Sequence, residues 1–367
     1  MKMLLYCDLP IKKKNAQTII DHAKSFEKYS SFEVDLYSSR LGLPNDINLN
    51  NYQILVIHYS ITLITSVLHK ESYIPLKDQK KIRAFKGLKI LFIQDEYRRV
   101  NHVCEKINFL KIDVLYSCAP LEISKKIYKS LSPQTTILET LTGYAPENVN
   151  SKLIKPHCQR NFDVFYRARK LPFWYGKLAQ DKYEIGEKFF SICEKKLKLN
   201  ISTHEKDRLY GDSWLNNLMN STATLGTESG ASIIDFTGDF ERDIAIFKYY
   251  NPKIEFHELP KLYLESDGEI KIQVISPRIF EAIACKTLLI LFPGNYSGVL
   301  DKNNHYLELE KDFSNIKDVI SIIKEKKITQ EIVDCAYSDL IESNLFSYEN
   351  FIKKFDKEIY EILYLKP

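Results

Sequence analysis

The sequence predicts an α/β protein built from two Rossmann-like halves, each a parallel sheet with helices on both faces, meeting at a central cleft. Three observations carry this. A chain of 367 residues exceeds one compact core. Short apolar runs alternate with helix-period segments from residue 2 to residue 138. The same alternation starts again at residue 162, after a polar stretch over 148–155 that reads as a linker.

In the first half, a strand over 2–7 stops at Asp8. Ile19, Ile20, Ala23 and Phe26 give residues 15–29 helical spacing. Strands follow over 32–37 and 52–59, the latter carrying Ile54 to Ile57 and closing on His58. A basic helix over 75–85 leads to a strand over 88–93 that ends in Gln94-Asp95-Glu96-Tyr97. Helices over 99–109 and 121–131 then alternate with strands over 113–116 and 135–138.

The second half opens with a strand over 162–166, a helix over 182–197 and a strand over 199–202. A helix over 213–219, a strand over 222–226, a small-residue turn at 226–232 and a helix over 240–249 come next. Ser276 then stands as an N-cap with Pro277 at the first helical position, where proline is best tolerated. That helix runs to Ala284 and feeds a buried strand over 287–292. A strand over 306–309, helices over 316–323 and 330–340, and a last helix with Phe351, Phe355, Ile359 and Ile362 in phase complete the chain. The boundaries read as a first domain over 1–147, a second over 148–345 and a terminal helix within 346–367.

Composition excludes several classes. Apolar content of 44% and charge of 27% are ordinary for a water-soluble globular chain, and a net charge of +4 is too small to argue for nucleic acid. Seven cysteines, none in a C-x-x-C pair, fit a reducing cytoplasm better than a disulfide framework or a zinc site. Residues 1–7 are too short for a signal peptide, and no run of about 18 apolar residues occurs. The expected location is the cytoplasm, with peripheral contact to the inner membrane face left open.

Polar residues directly after strands are the candidate site, because parallel sheets bind ligands at their carboxyl ends. Arg167, Arg169 and Lys170 follow a buried strand, a place that suits an anion; a solvated basic turn is the alternative. Glu228, Ser229 and Gly230 lie in a turn whose small residues let backbone N–H groups approach a ligand, or which is purely structural. The helix start at Ser276, with Arg278 one turn in, is a phosphate seat, and Glu281 on the same side suits ribose hydroxyls. Asp95 or Glu96 is placed to act as a general base, or to cap the following helix. His58 is the alternative base, a sugar ligand or a satisfied core histidine; Asp8 is a candidate of the same kind. Tyr97, His305 and Tyr306 are candidate acceptor or sugar contacts. No metal-ligand spacing such as Asp-x-Asp or His-x-x-x-His appears, so no metal and no cofactor are expected.

The string Arg-Ile-Phe-Glu-Ala-Ile-Ala-Cys-Lys-Thr-Leu-Leu-Ile, residues 278–290, resembles the "EAMA" helix–strand of group 1 GT-B glycosyltransferases. Glu281 matches the second Glu of their E-x7-E motif, which holds the nucleotide-sugar donor; Gln273 stands where the first Glu falls, and Lys286 where glycine is usual. Tyr166–Arg169, Gln94–Tyr97, Leu141–Tyr144, the turn at 225–238 and His305–Leu309 together resemble a subset from bacterial polysaccharide clusters, over roughly 88–320. The resemblance implies a GT-B fold whose terminal helix crosses back to the first domain. It also implies a nucleotide-sugar donor in the second domain and a saccharide or lipid-linked saccharide acceptor in the first. The implied reaction is metal-independent glycosyl transfer, retaining by the Glu281 match, in surface-polysaccharide assembly. A nucleotide-sugar epimerase on the same scaffold and a non-catalytic saccharide-binding protein are the alternatives.

Overall fold

The computed structural model describes residues 1–9, 17–63 and 74–365. Residues 15 and 16 of the expected first helix and residues 366–367 lie outside these.

Six strands form the first sheet: β1 (Lys2–Cys7), β2 (Glu33–Ser38), β3 (Ile54–Ile57), β4 (Leu88–Ile93), β5 (Val114–Ser117) and β6 (Thr136–Glu139). All pair in parallel, in the order β2-β1-β3-β4-β5-β6. Helices α1 (Gln17–Tyr29), α2 (Leu76–Ala84), α3 (Val100–Leu110) and α4 (Leu121–Ile127) connect them. Successive side chains point to opposite faces, and here both faces are apolar. Leu4, Leu55, Leu91 and Leu115 pack on α2 and α3 through Ile82, Val103 and Ile107. Met3, Val56, Ile90 and Val114 pack on α1 through Ala23 and Phe26.

The second sheet is built from β7 (Phe162–Arg167), α5 (Lys177–Cys193), β8 (Leu199–Ser202), α6 (Gly211–Met219) and β9 (Ser221–Gly226). After an excursion come α9 (Pro277–Ala284), β12 (Leu288–Leu291), β13 (Leu307–Glu308), α10 (Ile316–Lys324), α11 (Lys326–Tyr337) and a π-helical turn, Ser338–Glu342. The order is β13-β12-β9-β7-β8, with all pairs parallel. Strand order therefore reverses between β7 and β9, and a crevice opens beyond their carboxyl ends. The excursion carries β10 (Ser229–Ala231), α7 (Asp239–Tyr250), α8 (Lys261–Leu264) and β11 (Ile272–Val274). The terminal helix, α12 (Tyr348–Leu365), returns to the first sheet and seats Phe351, Phe355 and Ile359 against Phe26, Phe92 and Tyr116. Among the described residues, no helix is long and apolar enough to cross a membrane.

Three local expectations are corrected. The helix expected from 182 begins at Lys177, because its first N–H groups are satisfied from far along the chain. Asp267 Oδ1 accepts from Lys177 N at 3.1 Å and Ser232 Oγ from Leu178 N at 3.0 Å. The small-residue turn at 226–232 contains a strand, since β10 pairs antiparallel with β11. Gly230, at φ +120°, lets that ribbon close: a Cβ there would sit 1.9 Å from Ile272 O. Ser276 flanks α9 in extended geometry, but its side chain makes no capping hydrogen bond; Pro277 alone marks the start.

The excursion belongs physically to both lobes. Ile272 and Val274 share a core with Ile57, Leu91 and Val103 of the first sheet. Val100 N donates to Asp235 O (3.1 Å), Asn101 N to Phe236 O (2.9 Å) and Asp235 N to Tyr97 O (2.9 Å). Arg98 meets Glu241 in a bidentate pair at 2.7 and 3.1 Å.

Candidate active site

Where β7 and β9 diverge lies a cavity of about 200 Å³, lined by Tyr166, Arg167, Ala168 and Arg169 from one strand end and Thr224 to Thr227 from the other. Lys182, Arg208, Trp214, Ser276 and Arg278 close it, and no carboxylate is among its lining residues. A second cavity of about 430 Å³ shares Arg208, Trp214, Ser276 and Arg278, and extends between the lobes to Thr18, Asp21, Gln94, Tyr144 and Glu281. The two are one crevice with a cationic end and an aromatic, acidic end.

At the cationic end the cations differ in what they leave free. Arg167 is largely spent on scaffold: Nε donates to Asp207 O, Nη1 to Tyr166 O and Asn200 O, and Nη2 to Asn200 Oδ1. Arg169 and Arg208 both approach Glu205, at 3.5 and 2.8 Å. Arg278 donates one bond, Nη1 to Arg167 O at 2.7 Å, and otherwise lies exposed with its guanidinium 4.7 Å from the Trp214 ring centre. Lys182 has Ser229 Oγ as its hydrogen-bond partner, at 2.8 Å. Burial, with Arg278 adding, pushes its pKa down to about 8, while the Asp95 carboxylate, which lines neither cavity, pulls the other way. A lysine held among arginines in a pocket without carboxylates is arranged for a multivalent anion.

Lys182 was invisible as a site residue in the sequence. It shares a face of α5 with Ala179 and Gly186, three and four residues away and both buried, but Ala179 falls outside the helix expected from the sequence. Thr227 also lines the cavity, whereas its neighbour Glu228 is committed elsewhere. Glu228 Oε1 accepts from Asn295 N (3.1 Å) and Tyr296 N (2.8 Å), and Oε2 from Gln273 Nε2 (2.7 Å). That carboxylate holds the turn after β12. Lys170 pairs with Glu255 on the excursion and is not among the residues lining either cavity.

At the other end, Glu281 is half-buried, and burial raises its pKa against the opposing pull of Arg278 and Trp214. Trp214 Nε1–H donates to its Oε2 at 2.7 Å. Tyr59, Tyr144, Tyr210 and Tyr348 add aromatic walls, the usual surface for nucleobase or sugar faces.

The first-lobe candidates separate sharply. Asp95 is exposed, sits in left-handed backbone at φ +57° directly after β4, and accepts from Tyr97 OH at 2.6 Å. Glu96, one residue on, is 5% exposed and turned into the lobe. It accepts from Ser117 Oγ (2.5 Å), Tyr128 OH (2.7 Å), Cys118 N (2.7 Å) and Ala119 N (3.2 Å), so it anchors the loop before α4. His58 is fully buried; its Nε2 lies 2.9 Å from His22 Nδ1, and its Nδ1 accepts from Ser60 N at 3.0 Å. Asp8 is buried in an ion pair with Arg40. His305 and Tyr306 are buried away from both cavities, Tyr306 in the core under β12 and α9.

Among the described residues, one grouping of metal-ligating types occurs, His305 with Cys335 and Asp339. Asp301 N donates to His305 Nδ1 at 3.1 Å, which leaves the proton on Nε2, facing Asp339 Oδ2 at 3.1 Å. The grouping therefore meets an N–H where a cation needs a lone pair, and does not fit one.

The sequence matches no protein-family model and no curated protein. Solved structures do match in three dimensions. An α-glucosyltransferase in complex with UDP and a DNA 13-mer containing a HMU base aligns at a TM-score of 0.50 and 12% identity, over 98% of both chains. A glycosyltransferase from Rickettsia africae ESF-5 aligns at 0.49 and 12% identity, over 100% of this chain and 99% of that one. HepE from Anabaena, in complex with UDP and glucose, aligns at 0.48 and 10% identity, over 99% of both chains. At such identity the first of these establishes likeness of fold alone: the chain is a GT-B architecture, two Rossmann-like lobes around one crevice, with its last helix carried back to the first lobe.

Proposed function

We propose that the protein is a glycosyltransferase that moves a sugar from a nucleotide-sugar donor to a saccharide hydroxyl in surface-polysaccharide assembly. The observation that carries the reading is the carboxylate-free cavity at the β7/β9 divergence, with Lys182 and Arg278 beside it and Glu281 next door. Lys182 and Arg278 take the donor diphosphate, Glu281 accepts from ribose hydroxyls, and Asp95 faces the acceptor from the opposite lobe. Residues 1–147 then serve the acceptor, 148–345 the donor, and 346–367 tie the last helix to the first lobe. UDP, present with the α-glucosyltransferase of like fold, is the first nucleotide to try.

In the transfer, the bond from the anomeric carbon to the phosphate oxygen breaks and that oxygen keeps the electron pair. The acceptor oxygen forms the new bond on the same face, and its proton passes to the departing phosphate. Cationic side chains neutralise the leaving group, so the reaction is proposed to run without a metal. The acceptor is a saccharide, free or lipid-linked and reached at the cytoplasmic membrane face.

Thermal shift against UDP, GDP, CMP and dTDP, with and without EDTA, tests the reading. One nucleotide should raise the melting temperature in EDTA, and Arg278→Ala and Glu281→Ala should each abolish that rise. An unchanged response in both variants would place the nucleotide elsewhere.

A further inference from the structure

The two side chains assigned above to opposite parts of the donor are joined through a third. Trp214 projects from α6 and is 7% exposed. Its indole N–H donates to Glu281 Oε2 at 2.7 Å, and its ring face receives the Arg278 guanidinium at 4.7 Å. Phe165 of β7 backs it with a ring-centre distance of 5.1 Å. Trp214 also lines both cavities, at the place where they join.

Glu281 and Arg278 lie three residues apart on α9, so their Cα positions are fixed and their head groups are set by what they meet; Arg278 Nη1 donates to Arg167 O at 2.7 Å. Left alone, an arginine and a glutamate at this spacing attract each other, and an ion pair between them would empty both ends of the site. No ion pair joins those two side chains among the described residues; Glu281 accepts from Trp214 Nε1, and Arg278 pulls its pKa down against the larger upward push of burial. The indole stands as partner to the carboxylate and, beside the Arg167 carbonyl, to the guanidinium. Its N–H takes one carboxylate oxygen, and its π face takes the guanidinium.

We propose that Trp214 is the positioning residue of the donor site, holding Glu281 and Arg278 apart so that one meets the ribose and the other the diphosphate. This rests on the nucleotide-sugar reading of the site. Trp214 touches no reacting atom in this role. It acts through the two residues it holds, and its N–H is the group that Glu281 requires.

A double-mutant cycle on nucleoside diphosphate affinity tests it. Wild type is titrated by calorimetry with UDP, GDP, CDP, ADP and dTDP, and the tightest is used throughout. Trp214→Phe keeps an aromatic face and removes the N–H; it should weaken binding roughly tenfold, the usual scale for a hydrogen bond to a charged group. Glu281→Gln should weaken binding by a similar factor. The double variant should be little worse than either single one, a coupling of about tenfold. Additive losses, or full affinity in Trp214→Phe, would overturn the positioning role while leaving the donor site standing. Binding of none of the five by wild type would overturn the donor reading and this inference with it. Thermal unfolding of each variant separates lost structure from lost positioning, because a fold defect lowers the melting temperature without coupling to Glu281.

Discussion

Lys182 Nζ donates to Ser229 Oγ across 2.8 Å, joining α5 to the excursion at the edge of the cationic cavity. No carboxylate lines that cavity, and the lysine pKa falls from 10.5 to about 8, chiefly through burial. A base whose folded pKa is depressed stabilises the protein fully only above its unfolded value. That contribution is lost as pH falls from 10.5 through 8, and at neutral pH the charge is a liability of order 1–3 kcal/mol. Lys182→Met should therefore raise the unfolding free energy at pH 7 by about 1–2 kcal/mol in urea titrations. The same variant should lose nucleoside diphosphate binding. A variant that is less stable and still binds would show that the charge is already compensated by its own surroundings.

The His22–His58 pair makes a second pH-dependent element, deep in the first lobe. Ser60 N donates to His58 Nδ1, so the His58 proton sits on Nε2 and points at His22 Nδ1. A proton added to His22 Nδ1 puts two N–H groups nose to nose, and one added to His58 Nδ1 meets the Ser60 N–H, both inside a wall made of Phe26, Tyr59, Phe92 and Phe351. Burial pushes His58 down to about 3 and His22 well below its ordinary 6.5. Stability from the pair is thus present above pH 6.5 and drains away as pH falls toward 3. Urea unfolding at pH 7 and pH 4.5 should differ by on the order of 2–3 kcal/mol from this source. His58→Asn should flatten that difference, at the cost of lower stability at pH 7.

The strands and helices of both lobes were legible because each apolar run is bounded by a residue with a local job. Pro277 starting α9, and Asp8, His58 and Asp95 just past β1, β3 and β4, are examples. The crevice was legible too, since parallel sheets collect their carboxyl ends on one side. What local pattern cannot carry is the partner supplied from far away. Glu96 and Asp95 are adjacent in sequence, yet four donors from 117–128 draw Glu96 inward and leave Asp95 exposed. Glu228 reads as a site carboxylate until Asn295 and Tyr296 present their N–H groups to it. Lys182 reads only as the start of a helix, because nothing local shows that its side chain borders the cavity.

Gly230 is fixed by contact as well as by conformation. At φ +120° an L side chain is strained, and a Cβ would overlap Ile272 O at 1.9 Å. Gly230→Ala should cost more than about 2 kcal/mol in chemical unfolding, combining strain with overlap. Ser229 rides on the same ribbon, so Lys182 should also lose its partner and nucleotide affinity should drop. Gly211→Ala is the control: its added Cβ meets nothing within 4 Å, leaving only the cost of φ +53°.

Arg98 and Glu241 clasp the excursion to the first lobe, with side chains 13% and 8% exposed. Both charges are withdrawn from water, so removing one side chain costs the other its bidentate ion pair. Glu241 has further work, since its backbone N–H donates to Asp235 Oδ2 at 2.8 Å, but that bond survives a side-chain change. Glu241→Leu should destabilise the protein by about 3 kcal/mol, read by urea unfolding. Adding Arg98→Met should restore part of that loss, while Arg99, whose Nε lies 3.7 Å from Glu241 Oε2, keeps the recovery incomplete. Neither residue lines the crevice, so nucleoside diphosphate affinity in the double variant should stay near wild type. A collapse of affinity with stability restored would mean that the clasp sets the spacing between the lobes on which the site depends.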